Sequence, residues 1–409
     1  MVYIISVIVG TAMLLPYNAF ISTPAYTKDY YKYAAGDPNA TTSNPHVWHN
    51  IENYLMAASM VPNFGAQLLL MSKFGRGLPI FPRLMVSLTL MFIFVLLIVI
   101  VPFFKVSDSM ALTTIIGVTA LTNTGAAVLQ ASFFSLAAAF PFQITQGVML
   151  GIGVSGTTAS GLAALIKLSM NDGFHDNEIK ARIYFGIALG ALVLALICCI
   201  LLRKNEFVKF YVDEFRDHGD DYLTNEGDFS EQATLMKTES SMVFVNMKDT
   251  LRLVVPMLFS VFWTFFISLF VFPSFGVKLH PDNDWFGIII IFMFNIGDLC
   301  GRFLCRFSVL HLPRKAVIAG AAARTVLVLL FFLCIKPMVI TSIPFQYCLM
   351  YVTGVTNGFF GSQSMMLAPS SPGIKTEGQR GVVGNAMSVG LLAGAAGGSL
   401  VSLAVVPQL

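Results

Sequence analysis

Charge and tryptophan are scarce in this sequence. Of 409 residues, 11% are charged and three are Trp. Soluble domains carry about 25% charged residues, so a water-soluble globular domain is excluded. Cysteine is sparse too. Cys198, Cys199, Cys300, Cys305, Cys334 and Cys348 all fall in apolar segments. None has partners at metal-ligand spacing, so they read as buried packing residues rather than a disulfide framework or a zinc site. The histidines fall in connections or at segment ends, again without ligand spacing. There is no phosphate-binding loop. Gly151-Ile152-Gly153-Val154-Ser155-Gly156 lacks the full dinucleotide pattern and sits in an apolar segment, where it reads as packing. No enzyme, cofactor, metal or nucleic-acid reading survives.

Apolar length is what the chain has in abundance. It is 56% hydrophobic with a mean hydropathy of +0.74. A helix needs about 20 apolar residues to span a bilayer. About eleven stretches qualify, near 2–24, 53–75, 81–104, 110–138, 143–169, 180–203, 246–274, 284–306, 314–335, 343–366 and 380–405. The predicted fold class is therefore an all-α membrane protein. Residues 2–24 are too long, and too polar at their far end, for a cleavable leader, and the first span begins so early that a polar tail ahead of it is expected.

Positive charge collects in cytoplasmic connections. With the first span running outward, the inside connections hold about twice as many Lys and Arg as the outside ones. The N-terminus is then cytoplasmic and the C-terminus extracellular. Asn39-Ala40-Thr41, the one N-glycosylation sequon, falls in the first outside loop and marks a glycoprotein. Residues 204–245 are rich in Asp, Glu, Ser and Thr and read as a cytoplasmic linker. They divide the chain into an N-terminal six-helix bundle (1–203) and a C-terminal five-helix bundle (246–409). A six-plus-five split resembles a two-bundle transporter that rocks about a midplane site.

Against this background one cluster stands out. Asp298 is the only carboxylate well inside a long apolar segment, and a charge there costs at least about 2.5–3.5 kcal/mol. Arg302 lies four residues on, and Asn295 three residues back, so the three share a helix face. Arg324 also lies deep, and Asp298 is free to pair with Arg302, with Arg324 or with a substrate. Leu14-Leu15-Pro16-Tyr17-Asn18 predicts an irregular turn facing a cavity, or a packing kink. Gln130 and Gln146 carry amides able to read a base edge, or to join two helices. Gly186 with Gly190, and Gly390 with Gly394, are spaced to let helices approach.

Together these residues resemble the equilibrative nucleoside transporter family. Leu14 to Asn18 is similar to its first-span motif, with Tyr17 where the family usually has tryptophan. Asn295, Asp298, Gly301 and Arg302 match its eighth-span motif, and Thr356-Asn357-Gly358 its tenth-span motif. Asp29-Tyr30-Tyr31-Lys32-Tyr33-Ala34, Ala181 to Gly186 and Leu202-Arg203-Lys204-Asn205 resemble the purine transporters of parasitic protozoa. The resemblance implies a major-facilitator-like fold lacking one helix, and passage of purine nucleosides or nucleobases by alternating access in the plasma membrane. It implies that Asp298 and Arg302 hold ribose hydroxyls and that Gln146 reads the base. Leu14, Tyr17, Asn18 and Met60 would line the cavity, beside Asn295. Expected partners are the substrate, the lipid bilayer and protons, with no obligate protein partner. The alternatives are a proton-coupled nucleobase transporter, a transporter of an unrelated polar solute, or a pair of charges that only pins one span to its neighbours.

Overall fold

The computed structural model describes residues 1–171, 173–211, 245–280, 283–335, 338–405 and 408. Residues 212–244, most of the expected linker, lie outside the described residues, as does Lys336. Among the described residues all regular structure is helical. The long helices are α1 (Val2–Ile21), α2 (Ile51–Met71), α3 (Ile80–Ile100), α4 (Asp108–Ala139), α5 (Phe142–Ser169), α6 (Phe174–Lys204), α7 (Met247–Val271), α8 (Asp284–Leu304), α9 (Arg314–Ile335, interrupted at Arg324), α10 (Ile343–Leu367) and α11 (Glu377–Val405).

Ten of these are long and apolar enough to cross a membrane. The exception is α10, which buries Gln346, Thr353, Asn357, Ser362, Gln363 and Ser364. Its polar face turns inward, so its hydropathy falls short of a lipid-exposed span. The expected count of eleven is therefore not carried by hydropathy alone.

Three further expectations are corrected. Pro16 does not open an irregular turn, because α1 runs helically through it to Ile21. Gly186 and Gly190 do not line a helix contact, since a Cβ at either would meet nothing within 4 Å. Cys300 is half-buried and Cys348 exposed, while the other four cysteines are buried.

Within the chain's first half, α1 packs along α5 and α6, α3 along α4 and α6, and α2 along α4. After the linker, α7 packs along α11, α8 along α10, and α7 also touches α9 and α10. Between the halves, α5 meets α8 and α10, while α4 and α2 meet α11. One apolar core runs through α1 to α6 and reaches Val254, Met257, Val261, Phe265, Met365 and Met387. A second core holds Phe270, Phe275, Phe286, Ile290, Phe331 and Met350, near the opposite ends of α7 to α10. The halves thus share a core at the end nearest the linker and have separate cores away from it.

Glycine sets the tightest of these contacts. On α8 and α10 the two helices approach until backbone meets backbone. A Cβ at Gly301 would collide with the Val355 carbonyl, and one at Gly358 with the carbonyl of Asp298. Gly358→Val should therefore cost about 1–3 kcal/mol or prevent folding, as overpacked cores do. Gly186→Ala should be tolerated, or stabilise by up to about 1 kcal/mol through helix propensity. Thermal unfolding of the two variants in detergent checks the contrast.

Candidate functional site

Asp298 and Arg302 lie one turn apart on α8, close to its linker end. Arg302 Nε donates to Asp298 Oδ2 at 2.6 Å. Both residues are buried, 7% and 2% exposed respectively. The second carboxylate oxygen, Oδ1, accepts from Asn357 Nδ2 of α10 at 2.7 Å. Arg302 Nη1 crosses to α5 and donates to the Met149 carbonyl at 3.0 Å. Its guanidinium sits over the Phe265 ring of α7, 6.0 Å from the centroid. Gly153 of α5 leaves room for this side chain, because a Cβ there would come within 2.9 Å of Arg302 Cδ.

Arg324 joins the same network from the break in α9. Its Nη2 donates to Ser268 Oγ at 2.6 Å and to the Thr353 carbonyl at 3.1 Å. Its Nε donates to Thr356 Oγ1 at 3.1 Å, and its Nη1 to the Thr264 carbonyl. Ser268 Oγ in turn donates to Asn357 Oδ1 at 2.7 Å. A chain of hydrogen bonds therefore runs from Arg324 through Ser268 and Asn357 to Asp298. Asp298 pairs directly with Arg302 and only through this relay with Arg324. One carboxylate and two guanidiniums leave the buried cluster with a positive excess.

Arg302 Nη2 makes no hydrogen bond among the described residues, whereas every nitrogen of Arg324 makes at least one. A guanidinium has five N–H donors in a fixed fork. The unused donors of Arg302 stand beside an Asp298 carboxylate whose oxygens each keep a further lone pair. Such a fork suits two adjacent hydroxyls, one accepting from arginine and one donating to aspartate.

The other expected site residues divide into two groups. Gln146 is buried and touches the cluster, but its amide is tied at both ends: Nε2 donates to the Arg302 carbonyl at 2.9 Å, and Oε1 accepts from Tyr3 OH at 2.8 Å. In this conformation it joins α5, α8 and α1. Asn295 shares the face of Asp298 without bonding to it. Its Nδ2 donates to the Ile291 carbonyl at 3.1 Å, and its backbone carbonyl accepts from Thr157 Oγ1 of α5 at 3.0 Å. Leu14, Tyr17 and Asn18 are half-buried on one face of α1. Asn18 Nδ2 donates to Ser155 Oγ of α5 at 2.9 Å, while the Tyr17 hydroxyl has no partner among the described residues. Met60 is half-buried on α2, and no hydrogen bond links it to the cluster. Gln130 of α4 is buried, 5% exposed, yet its amide has no hydrogen-bond partner among the described residues.

Ser268 carries the relay and was missed in the sequence, as was Thr264, whose backbone carbonyl accepts from Arg324. The signal for Ser268 was present, as a hydroxyl inside the aromatic run Trp263 to Phe270. Asn357 was visible only as part of a motif, without a role.

The model for nucleoside transporters matches residues 116–406. Nucleoside transporter 1.1 of Leishmania donovani is 27% identical over 98% of this chain and 92% of its own length. Adenosine transporter 1 of Crithidia fasciculata is 23% identical over the same share of both chains. Among solved structures, the proton:xylose symporter XylE shares the fold, with a TM-score of 0.65 at 12% identity, covering 98% of this chain and 87% of the symporter.

Removing one partner of a buried pair leaves an uncompensated charge, which costs about 3–5 kcal/mol. Asp298→Ala should therefore destabilise more than the double variant Asp298→Ala/Arg302→Ala. Asn357→Ala should cost about 1–3 kcal/mol by stranding one carboxylate oxygen. Thermal unfolding of the variants in one detergent checks the order.

Proposed function

The chain belongs to the nucleoside transporter family, a multi-pass membrane family rather than an enzyme family, and from that membership we propose that it carries purine nucleosides across the plasma membrane by alternating access. The observation that carries this reading is the fork at Arg302 Nη2 and Asp298, which matches the vicinal diol of ribose. The purine assignment rests on the match to Crithidia Adenosine transporter 1.

In this reading the ribose is bracketed by Asp298 and Arg302. The half-buried face of α1 supplies a stacking platform, with Tyr17 against the base and its free hydroxyl toward the substrate. Leu14, Asn18, Met60 and Asn295 line the same passage. Of the two glutamines, Gln130 has the open amide that a base edge requires. Gln146 reads the base only in a state where its ties to Tyr3 and Arg302 are released. Arg324, with every nitrogen engaged, acts as a structural charge. Bundles 1–203 and 246–409 rock about this site, closed on one another at the linker end where they share a core, and part toward the other side. With the charge bias of the connections, that side is extracellular and the linker end cytoplasmic.

The carboxylate of Asp298 is engaged on both oxygens, by Arg302 and by Asn357, as part of a fixed network. It therefore favours facilitated passage over proton coupling. Nucleobases lack the diol and are carried less well than nucleosides.

Two measurements test this in a host that lacks purine uptake. Labelled adenosine and inosine should accumulate through the expressed chain, and no uptake of either would sink the proposal. Adenosine without its 2′-hydroxyl should compete about ten- to a hundredfold more weakly, the worth of a hydrogen bond to a charged group. Equal competition would remove Asp298 and Arg302 from the ribose site. A protonophore should leave uptake unchanged, and a collapse on its addition would restore proton coupling.

A further inference from the structure

Two more arginines are buried far from the cluster, where α2 turns into α3. Arg76 is 5% exposed and Arg83 is 8% exposed. Arg76 Nη1 donates to the Val245 carbonyl at 3.1 Å. Among the described residues Arg83 makes a single hydrogen bond, from Nη1 to the Gly75 carbonyl at 2.9 Å. Its Nε and Nη2 are buried without any acceptor, and no carboxylate among the described residues pairs with it. Buried charged groups are paired almost without exception, so a guanidinium left this way calls for an acceptor beyond the described residues.

Arg83 also stands at one end of a groove of about 310 Å³ between α3 and α4. Val86, Leu90 and Phe94 of α3 line it, with Leu121, Gly125 and Val128 of α4. Val86, Leu90 and Leu121 are exposed on the outer surface of the bundle. The two hydroxyls in the lining are engaged within their own helices, Ser87 with the Leu84 carbonyl and Thr124 with the Ala120 carbonyl. Gly125 forms the floor, since a Cβ there would come within 2.7 Å of Met91 Cγ. Along α3, Arg83 to Phe94 is about 16 Å of helix. That is roughly the depth of one bilayer leaflet, half of a hydrocarbon core about 30 Å thick.

The groove and the cation have the two chemistries of one lipid. We propose that this groove binds an anionic glycerophospholipid of the linker-side leaflet, with an acyl chain between α3 and α4 and its phosphate on Arg83. Rotation of the terminal side-chain bonds brings Nε and Nη2 to the headgroup oxygens. The first turn of α3 adds the positive end of a helix dipole at the same point. A neutral lipid would fill the groove but leave the cation without a counter-charge. Free phosphate would answer the cation but leave the groove empty. Basic pockets between spans on the cytoplasmic side commonly take such headgroups.

The test uses the delipidated full chain in detergent, with equal amounts of palmitoyl-oleoyl phosphatidylglycerol and palmitoyl-oleoyl phosphatidylcholine, read by native mass spectrometry. Phosphatidylglycerol should be retained about fivefold over phosphatidylcholine, the worth of one cation near an anionic headgroup. Arg83→Gln should abolish that preference. Val86→Trp, at an exposed groove position, should reduce retention of both lipids while leaving Arg83 in place. Equal retention by the wild-type chain, a preference that survives Arg83→Gln, or retention unchanged by Val86→Trp would each overturn the proposal. Thermal stabilisation by inorganic phosphate alone, equal to that by phosphatidylglycerol, would assign the site to a free anion and overturn it as well.

Discussion

A carboxylate and a guanidinium held 2.6 Å apart in an apolar bundle set the terms for much of this molecule. Neither charge is tolerated alone at that depth. Attraction within the pair repays desolvation only when the remaining lone pairs and N–H groups are also satisfied. The protein meets that condition from five helices for all but the open Nη2 edge of Arg302. Asn357 of α10 takes the free carboxylate oxygen, and Met149 of α5 takes an arginine N–H. Ser268 of α7 then fixes Asn357 in the orientation that donates to Asp298, and Arg324 of α9 fixes Ser268. Asn357 is the pivotal member, because its carbonyl accepts while its amide donates. A residue with the same shape but only one of those functions would break the relay at one side.

Such a network requires close backbones. The α8 and α10 helices carry glycines at the crossing, and Gly358 brings the backbone of α10 against the Asp298 carbonyl one residue after Asn357. On the other side of α8, Gly153 and Gly156 of α5 lie against Arg302 and Asn295. Small residues on both flanks let one helix carry large polar side chains without opening a void. In water these glycines would weaken their helices. Here packing and polar satisfaction outweigh propensity.

The sequence showed the parts of this design that announce themselves by rarity. Asp298 and Arg302 were conspicuous because nothing else like them lies as deep, and their spacing placed them on one face. The helical, membrane-spanning character followed from composition. Less legible were features whose meaning depends on a partner far along the chain. Arg324 was visible as a charge, but the loops of chain between it, Ser268 and Asn357 hid the relay. Gln130 and Gln146 were indistinguishable by residue type. Only the fold shows that one amide is engaged and the other is not. Gly186 and Gly190 had the spacing of a contact, yet they face outward, because spacing fixes a helix face and says nothing of what lies opposite. Pro16 looked like a breaker, but a single missing donor does not end a helix whose neighbours hold it from both sides.

The position of Arg302 ties the proposed site to the proposed gate. Its guanidinium grips the Met149 carbonyl, while its own carbonyl holds Gln146. Both partners lie on α5, in the other half of the chain. Opening at the linker end must therefore break hydrogen bonds made by the same residue that would bracket the substrate in the proposed site. Two hydrogen bonds of about 0.5–3 kcal/mol each, depending on charge, are a barrier that a ligand can shift. A ribose that engages Nη2 draws on the same guanidinium and loosens its hold on α5. Release of α5 also frees the Gln146 amide, which then has an open edge near the substrate. Under the proposed function Gln146 would have two roles in sequence: a latch while the linker end is shut, and a contact to the base once it opens.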